Sequence, residues 1–363
     1  MVVLALFLLA FLFYTYVAYP VLVAILAHLR PMRIDEDPGY RPKVSAIVPV
    51  FNARSYVGPK LDSLLALDYP PERLEIIVCS DASDDGTDDV LLEYAERHQN
   101  VVYRRAAQRS GKPAGINRML EDATGDVLLM TDIRQPLRPS ALRALVAPLA
   151  DPSVAAVSGN LVLAGRAGAG VYWRYENWLR RSEGRFRSMV GVTGPLYAIR
   201  RSDMPALPAD IILDDMWVPM RLRLQGKKIV FAESAIAEDE AFSDRREFGR
   251  KARTLAGNYQ LFARLPGLLV PWVNPSFFEV MSHKVFRLLG PWALILLAVV
   301  SVLGSAHPLL FLLAVAQAIF YALALAGKAA GPPGAIARTF VVLNAAALYG
   351  LYRYIAGSQK VTW

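Results

Sequence analysis

At 363 residues the chain is long enough for one large domain or two ordinary ones, with ample core. Its hydrophobic content of 54% is concentrated at the two ends, and its net charge of +8 suits a membrane surface carrying anionic lipid or an anionic substrate. The single cysteine, Cys79, excludes an internal disulfide, and no known nucleic-acid-binding motif is present, so nucleic acid is not an expected partner.

Val2 to Leu29 is almost wholly apolar. At about 1.5 Å per residue it exceeds a ~30 Å hydrocarbon core and is long enough to span with tilt. The positive leader and small-residue cleavage site of a signal peptide are not evident, so residues 1–30 are expected to be a transmembrane anchor. Arg30 and Arg33 follow it, which by the positive-inside rule puts the next segment in the cytoplasm. Residues 31–43 form a polar linker with prolines.

From Val44 the pattern alternates. Strands are expected at Val44–Val50, before Asp81, at Val101–Arg104, at Val127–Thr131 and at Val154–Val157. Helices are expected around Tyr56–Leu67, Thr87–Arg97, Pro113–Ala123 and Pro139–Leu149. Such βαβ rhythm predicts an α/β domain with a mainly parallel sheet and helices on both faces. Cys79 falls in a buried strand and reads as core.

After Gly159 the rhythm breaks. Val171–Arg187 interleaves Trp173, Tyr175 and Trp178 with five arginines, a composition that fits a polymer or phosphate grip and equally an interfacial helix on lipid headgroups. Strands at Pro195–Arg200 and Ile229–Ala232 and a helix at Met216–Gln225 follow, then a basic helix at Ser243–Arg264. The domain is therefore expected to run from 44 to 265. Residues 266–284 read as an interfacial segment, and 285–363 as a C-terminal transmembrane region of about three helices: Leu288–Ser305, Leu309–Ala326 and Ile336–Ala356.

Ile76-Ile77-Val78-Cys79-Ser80 empties into Asp81-Ala82-Ser83-Asp84-Asp85-Gly86-Thr87. Asp, Ser and Gly are ordinary turn residues, so a solvated turn is one reading. A calcium loop fails, because Leu92 stands where the twelfth-position Glu is required. The third reading is a ligand site, since the crevice beyond the carboxyl ends of parallel strands is where open α/β sheets bind.

Two more acidic sites follow strands: Asp132 and the pair Asp214-Asp215. Singly, Asp132 is a turn residue and Asp214 or Asp215 a helix cap. Together with Lys112 in Ser110-Gly111-Lys112-Pro113, they suit a nucleoside-diphosphate donor and a base for an acceptor hydroxyl. No Walker A sequence is present, and His28, His98, His283 and His307 are scattered.

The order of these pieces resembles family 2 of the glycosyltransferases over about Val44 to Gln260, in the membrane-anchored group that includes cellulose and hyaluronan synthases. The resemblance rests on Val48-Pro49-Val50-Phe51-Asn52, the Asp81–Thr87 loop, Gly111-Lys112-Pro113-Ala114-Gly115-Ile116-Asn117, Gly125 to Asp132, Val192-Thr193-Gly194-Pro195 and Leu213-Asp214-Asp215. It implies a GT-A fold and an inverting, single-displacement transfer from a nucleotide sugar, a UDP-sugar by expectation, to a lipid-linked or saccharide acceptor. Pro49, Phe51 and Asn52 are implied to line the donor pocket, Asp81 to meet the nucleoside, and Lys112 and Asn117 to lie near the donor. Asp132 is implied to ligate Mg²⁺ or Mn²⁺, with Asp215 the base and Asp214 its neighbour. The implied setting is a bacterial inner membrane with the catalytic domain cytoplasmic.

Two departures stand out. The family's Asp-x-Asp reads Asp132-Ile133-Arg134 here, and Arg134 is suited to a phosphate and not to a metal. The Gln-x-x-Arg-Trp of processive members is replaced by Arg250-Lys251-Ala252-Arg253-Thr254, keeping Arg250 and Arg253 as candidates for the pyrophosphate but weakening a polymer-extruding role.

Overall fold

The computed structural model describes residues 1–164, 170–240 and 244–361. Seven strands form one sheet: β1 (Val44–Val50), β2 (Leu74–Ser80), β3 (Val101–Arg105), β4 (Val127–Met130), β5 (Val154–Ala164), β6 (Tyr197–Arg200) and β7 (Lys228–Glu240). The order is β3-β2-β1-β4-β6-β5-β7, and only β6 runs antiparallel to its neighbours. The mainly parallel α/β sheet expected from the rhythm is present.

Strand alternation sorts the core into two layers. Ala46, Val48, Val50, Ile76 and Val78 face a layer with Val57, Leu61 and Leu64 of the Arg54–Leu65 helix. Ile47, Ile77, Cys79 and Leu128 face the other layer, against Ile116 and Met119 of the Lys112–Asp122 helix and Val218 of the Asp214–Leu224 helix. Period-2 burial on both faces is what near-continuous apolar runs in a parallel sheet require.

Two strands are longer than expected. β5 continues past Gly159 and β7 past Ala232, and the two pair through Ala164 and Glu240 with a register shift at Ser158/Asn160. Gly159 makes the shift possible: a Cβ there falls 2.5 Å from the Leu196 side chain. The extension of β7 is rich in Glu and Asp, so hydropathy alone hides it.

Three apolar helical stretches are long enough to cross a membrane: Val2–Leu29, Phe277–Leu303 and Pro308–Ile355. The third breaks into Pro308–Ala326 and Gly331–Ile355 at a 3-10 turn whose Gly327 and Gly331 have φ of +55° and +68°. Ala5 and Leu8 pack on Ala293, Leu297 and Val300, while Val3, Phe7, Trp292 and Leu296 face outward. Apolar residues on all sides distinguish these helices from the amphipathic ones.

The helix at Phe277 starts inside the 266–284 segment that was expected to be interfacial. Ser282 and His283, which interrupt the apolar pattern, are buried. His283 meets Glu183 of the Gly170–Phe186 helix, and Tyr14 of the first apolar stretch meets Ser282 at 2.8 Å. The expected start of the basic helix at Ser243 lies outside the described residues; its body is observed at Asp244–Arg264.

Candidate active site

Three chain segments that the sheet brings to one place build the site. β4 ends at Met130 and delivers Asp132; the Lys112–Asp122 helix delivers Lys112 from its first residue; the Asp214–Leu224 helix delivers Asp214 and Asp215 from its first turn. Neither aspartate caps that helix through its side chain. Lys112 Nζ lies 3.0 Å from Asp132 Oδ1 and 3.1 Å from Asp214 Oδ2. Burial acts against the Lys112 ammonium, but Asp132, Asp214 and Asp215 overcome it and raise its pKa.

Asp215 behaves differently from its neighbours. Burial, reinforced by the Asp214 charge, pushes its carboxyl up to about 6, with Lys112 opposing. Asp132 is held low: burial resists ionisation, and Lys112, Lys60 and Arg134 outweigh it. Two carboxyls in one site are thus driven apart, one fixed as an anion and one poised near neutrality. The loop before β6 seats the poised one. Val192 N donates to Asp215 O at 3.1 Å, and a Cβ on Gly194 would stand 2.9 Å from Asp215 Oδ2, so the carboxylate packs against bare backbone.

A second group of residues lies at the ends of β1 and β2. Pro49 is buried within β1. Asn52, at φ +43°, exchanges two hydrogen bonds with Asp84 and so locks the loop after β1 to the loop after β2. Asp81 is buried and accepts from Ser110 N at 2.8 Å, Ser110 Oγ at 3.2 Å and Gly111 N at 2.7 Å. It therefore fixes the backbone that carries Lys112. The Arg109 guanidinium lies 3.8 Å from the centre of the Phe51 ring, a cation–aromatic contact.

The glycosyl transferase family 2 model matches residues 45–204, and the glycosyl transferase family group 2 model matches residues 135–325, more than half of the chain. The chain belongs to glycosyltransferase family 2. The glycosyltransferase also resembles, with a TM-score of 0.81 and 26% identity over 97% of this chain and 98% of the other, the mannosyltransferase PcManGT from Pyrobaculum calidifontis, solved with GDP-Man and Mn²⁺. It is 27% identical over 215 residues to the probable glycosyltransferase YdaM of Bacillus subtilis, covering 55% of this chain and 51% of the relative. It is 24% identical over 234 residues to a beta-monoglucosyldiacylglycerol synthase of Synechocystis, covering 61% of this chain and 49% of the relative. The chain spans about half the length of these curated relatives. The GT-A fold expected from the motifs is the fold observed.

The remaining expected residues fall around this centre. The amide of Asn117 is committed to the backbone of Leu207, donating to its carbonyl and accepting from its N–H, so it holds the 204–207 segment. Arg134 pairs with buried Asp239 of β7, which also accepts from Gln135 Nε2 at 3.0 Å. Arg253 reaches the carbonyl of Ile212, just before the two aspartates, at 3.5 Å. Arg250 lies one helical turn earlier, its carbonyl accepting from Thr254 Oγ1.

Sequence reasoning missed three groups in the glycosyltransferase. Lys60 is wholly buried, and its ammonium donates to Thr131 Oγ1 and to the Gln135 carbonyl, both at 2.6 Å, beneath the Asp132 loop. Burial brings its pKa down to about 7, with Asp132 opposing. The signal was there: Lys60 shares the helical face of Val57, Leu61 and Leu64. Tyr197 is buried with an unpartnered hydroxyl, and burial followed by the Asp214, Asp215 and Asp132 charges drives its pKa far up. Arg180, on the Gly170–Phe186 helix, donates to Thr193 Oγ1 at 3.2 Å and acts on Asp215 through its charge. Only the fold brings those two to the acids.

Proposed function

We propose that the glycosyltransferase is embedded in a membrane and transfers, with inversion, a glycosyl group from a nucleoside-diphosphate sugar to a hydroxyl of a lipid-linked or growing saccharide. The observation that carries this reading is Asp215: a carboxyl pushed up to about 6, beside a lysine that stands between two other carboxylates. A base with a pKa near the working pH is matched to removing a hydroxyl proton. In the step proposed, the acceptor oxygen forms a bond to the anomeric carbon as Asp215 takes its proton. The bond from that carbon to the diphosphate oxygen breaks, and its electron pair leaves with the diphosphate. Lys112 meets that developing charge.

Among the described residues no cluster of three His, Cys, Asp or Glu side chains is suited to a metal ion. The donor set fits an ion of another kind, held by one protein carboxylate and the phosphates of the donor, as Mg²⁺ often is. Asp132, with its side chain 30% exposed, is the residue that would hold it, and Arg134 takes the second acid's place. When bound, such an ion adds positive charge at the diphosphate.

The membrane setting draws on the three apolar stretches, and the cytoplasmic orientation on Arg30 and Arg33. The structural relative covered over 98% of its length was solved with GDP-Man, which supports adding GDP-mannose to the UDP-sugars as a candidate donor. The test is release of nucleoside diphosphate by the full-length protein in lipid nanodiscs, across GDP-, UDP- and dTDP-sugars. Release from one donor at least ten times faster than from the others, with a saccharide product of inverted linkage, supports the reading. No release from any of them refutes it.

A further inference from the structure

A cavity of about 250 Å³ lies where the α/β domain meets the end of the third apolar stretch. The domain supplies Asp210, Ile212, Gln260 and Arg264, and the chain at and beyond the end of that stretch supplies Arg353 and Gln359. One water needs only roughly 10–15 Å³ of such space, so a phosphate ester and its glycerol fit here.

Gln260 fixes one wall. It is buried, its Oε1 accepts from Ile212 N at 2.9 Å, and its Nε2 donates to the Asp210 carbonyl at 2.8 Å. The charges on the lining are unequal. Asp210 is its one carboxylate, and both of its oxygens accept from Arg264, Nη1 lying 2.9 Å from Oδ1. Arg353 adds a second cation. Its guanidinium lies 5.9 Å from the centre of the Tyr349 ring and makes no hydrogen bond or ion pair among the described residues. Two cations against one anion leave the lining with a positive charge in excess. Gln359 Oε1 is buried without a hydrogen-bond partner among the described residues, while its amide nitrogen donates to the Lys360 carbonyl at 2.8 Å. An occupant that meets both needs is an anion that also carries a hydroxyl donor.

We infer that this cavity seats the glycerol phosphate headgroup of an anionic phospholipid. The inference uses the membrane setting proposed above and needs nothing of the sugar chemistry. Arg353 stands two residues before the end of the apolar stretch, flanked by exposed Tyr352 and Ile355. An anion held by Arg353 therefore has its acyl chains beside an apolar surface, with a tyrosine at the depth where that residue type meets headgroups. Basic pockets at the ends of membrane helices are where anionic headgroups are recognised. A free phosphate leaves the apolar surface unused, and a zwitterionic headgroup brings a further cation to a lining that is already positive.

The test is native mass spectrometry of the full-length protein, delipidated in detergent and titrated with phosphatidylglycerol, phosphatidylcholine or glycerol phosphate. The first phosphatidylglycerol is expected to bind at least ten times more tightly than phosphatidylcholine. Arg353→Gln is expected to weaken it at least tenfold. Arg30→Gln, which removes an equal charge beside the first apolar stretch, should leave it within threefold of the parent. Equal binding of the two lipids, no effect of Arg353→Gln, or an equal loss from Arg30→Gln overturns the inference. Displacement of phosphatidylglycerol by an equal concentration of glycerol phosphate assigns the cavity to a free phosphate ester and overturns the lipid source. The comparison of the two lipids needs no variant, so a misfolded Arg353→Gln leaves the test intact. Retention of neither lipid overturns the membrane setting as well. No nucleotide sugar is present, so a failure here is separate from a failure of the transferase reading.

Discussion

The ammonium of Lys112 stands 3.1 Å from Asp214 Oδ2, a contact between the first residues of two helices that pack on the same face of the sheet. The same ammonium reaches Asp132, so a single cation ties the ends of three elements together. Asp81 sets its position from behind through Ser110 and Gly111.

Lys112→Met removes the cation that meets the leaving diphosphate and leaves Asp132 and Asp214 facing each other. A loss of about 10²–10³ in kcat is expected, the range seen when one stabilising donor is deleted. The pH at which activity rises should also move up, because Lys112 opposes the elevation of Asp215. Steady-state kinetics as a function of pH read both.

Asp215 predicts the pH profile. As a base it must be ionised, so kcat should rise with pH and level off above about 6. Stability runs the other way. The folded carboxyl holds its proton more tightly than the unfolded one, so this group favours folding most below its ordinary pKa near 3.8, and the benefit is lost as pH rises through about 6. Asp215→Asn should therefore unfold at a higher temperature than the parent at pH 7.5, by on the order of 2 kcal/mol, in a thermal melt.

Lys60 predicts a structural dependence of the Asp132 loop. Lys60→Met strands the Gln135 carbonyl and leaves the Thr131 hydroxyl with only the bond it donates to the Pro195 carbonyl, a change expected to cost about 1–3 kcal/mol in chemical denaturation. The donor KM should rise, because the loop carrying Asp132 loses its support. An unchanged KM would show that the loop holds its shape without the lysine.

Arg134 predicts how metal binds. With one motif carboxylate, Mn²⁺ should bind the protein weakly alone and tightly once GDP is present, read by calorimetry without any turnover. Arg134→Asp does not restore a two-acid site. It places a carboxylate beside Asp239, where the arginine now pairs, and is expected to destabilise the fold.

Much of this was legible in the chain. Asp132, Asp214 and Asp215 announce themselves by following apolar runs and Lys112 by its place in Ser110-Gly111-Lys112-Pro113, and the fold gathers those four. The limits of legibility are equally physical. Lys60 reads as a surface lysine until its helical face is counted. The long β5–β7 pair is hidden because acidic residues flank Ala235 and Ala237, although those two alanines are buried in the core. Arg180 lies in a segment whose basic and aromatic character says interface, and only the fold brings its charge to Asp215. Asn117 sits in a motif implied to face the donor, yet its amide is engaged by Leu207.

The most direct test of the central claim is Asp215→Asn, assayed for transfer and for donor binding on the same preparation. The account predicts transfer reduced by at least about 10³, with donor affinity within threefold of the parent, since the proton acceptor is lost and the donor pocket is not. Transfer within tenfold of the parent would contradict the assignment of Asp215 as the base.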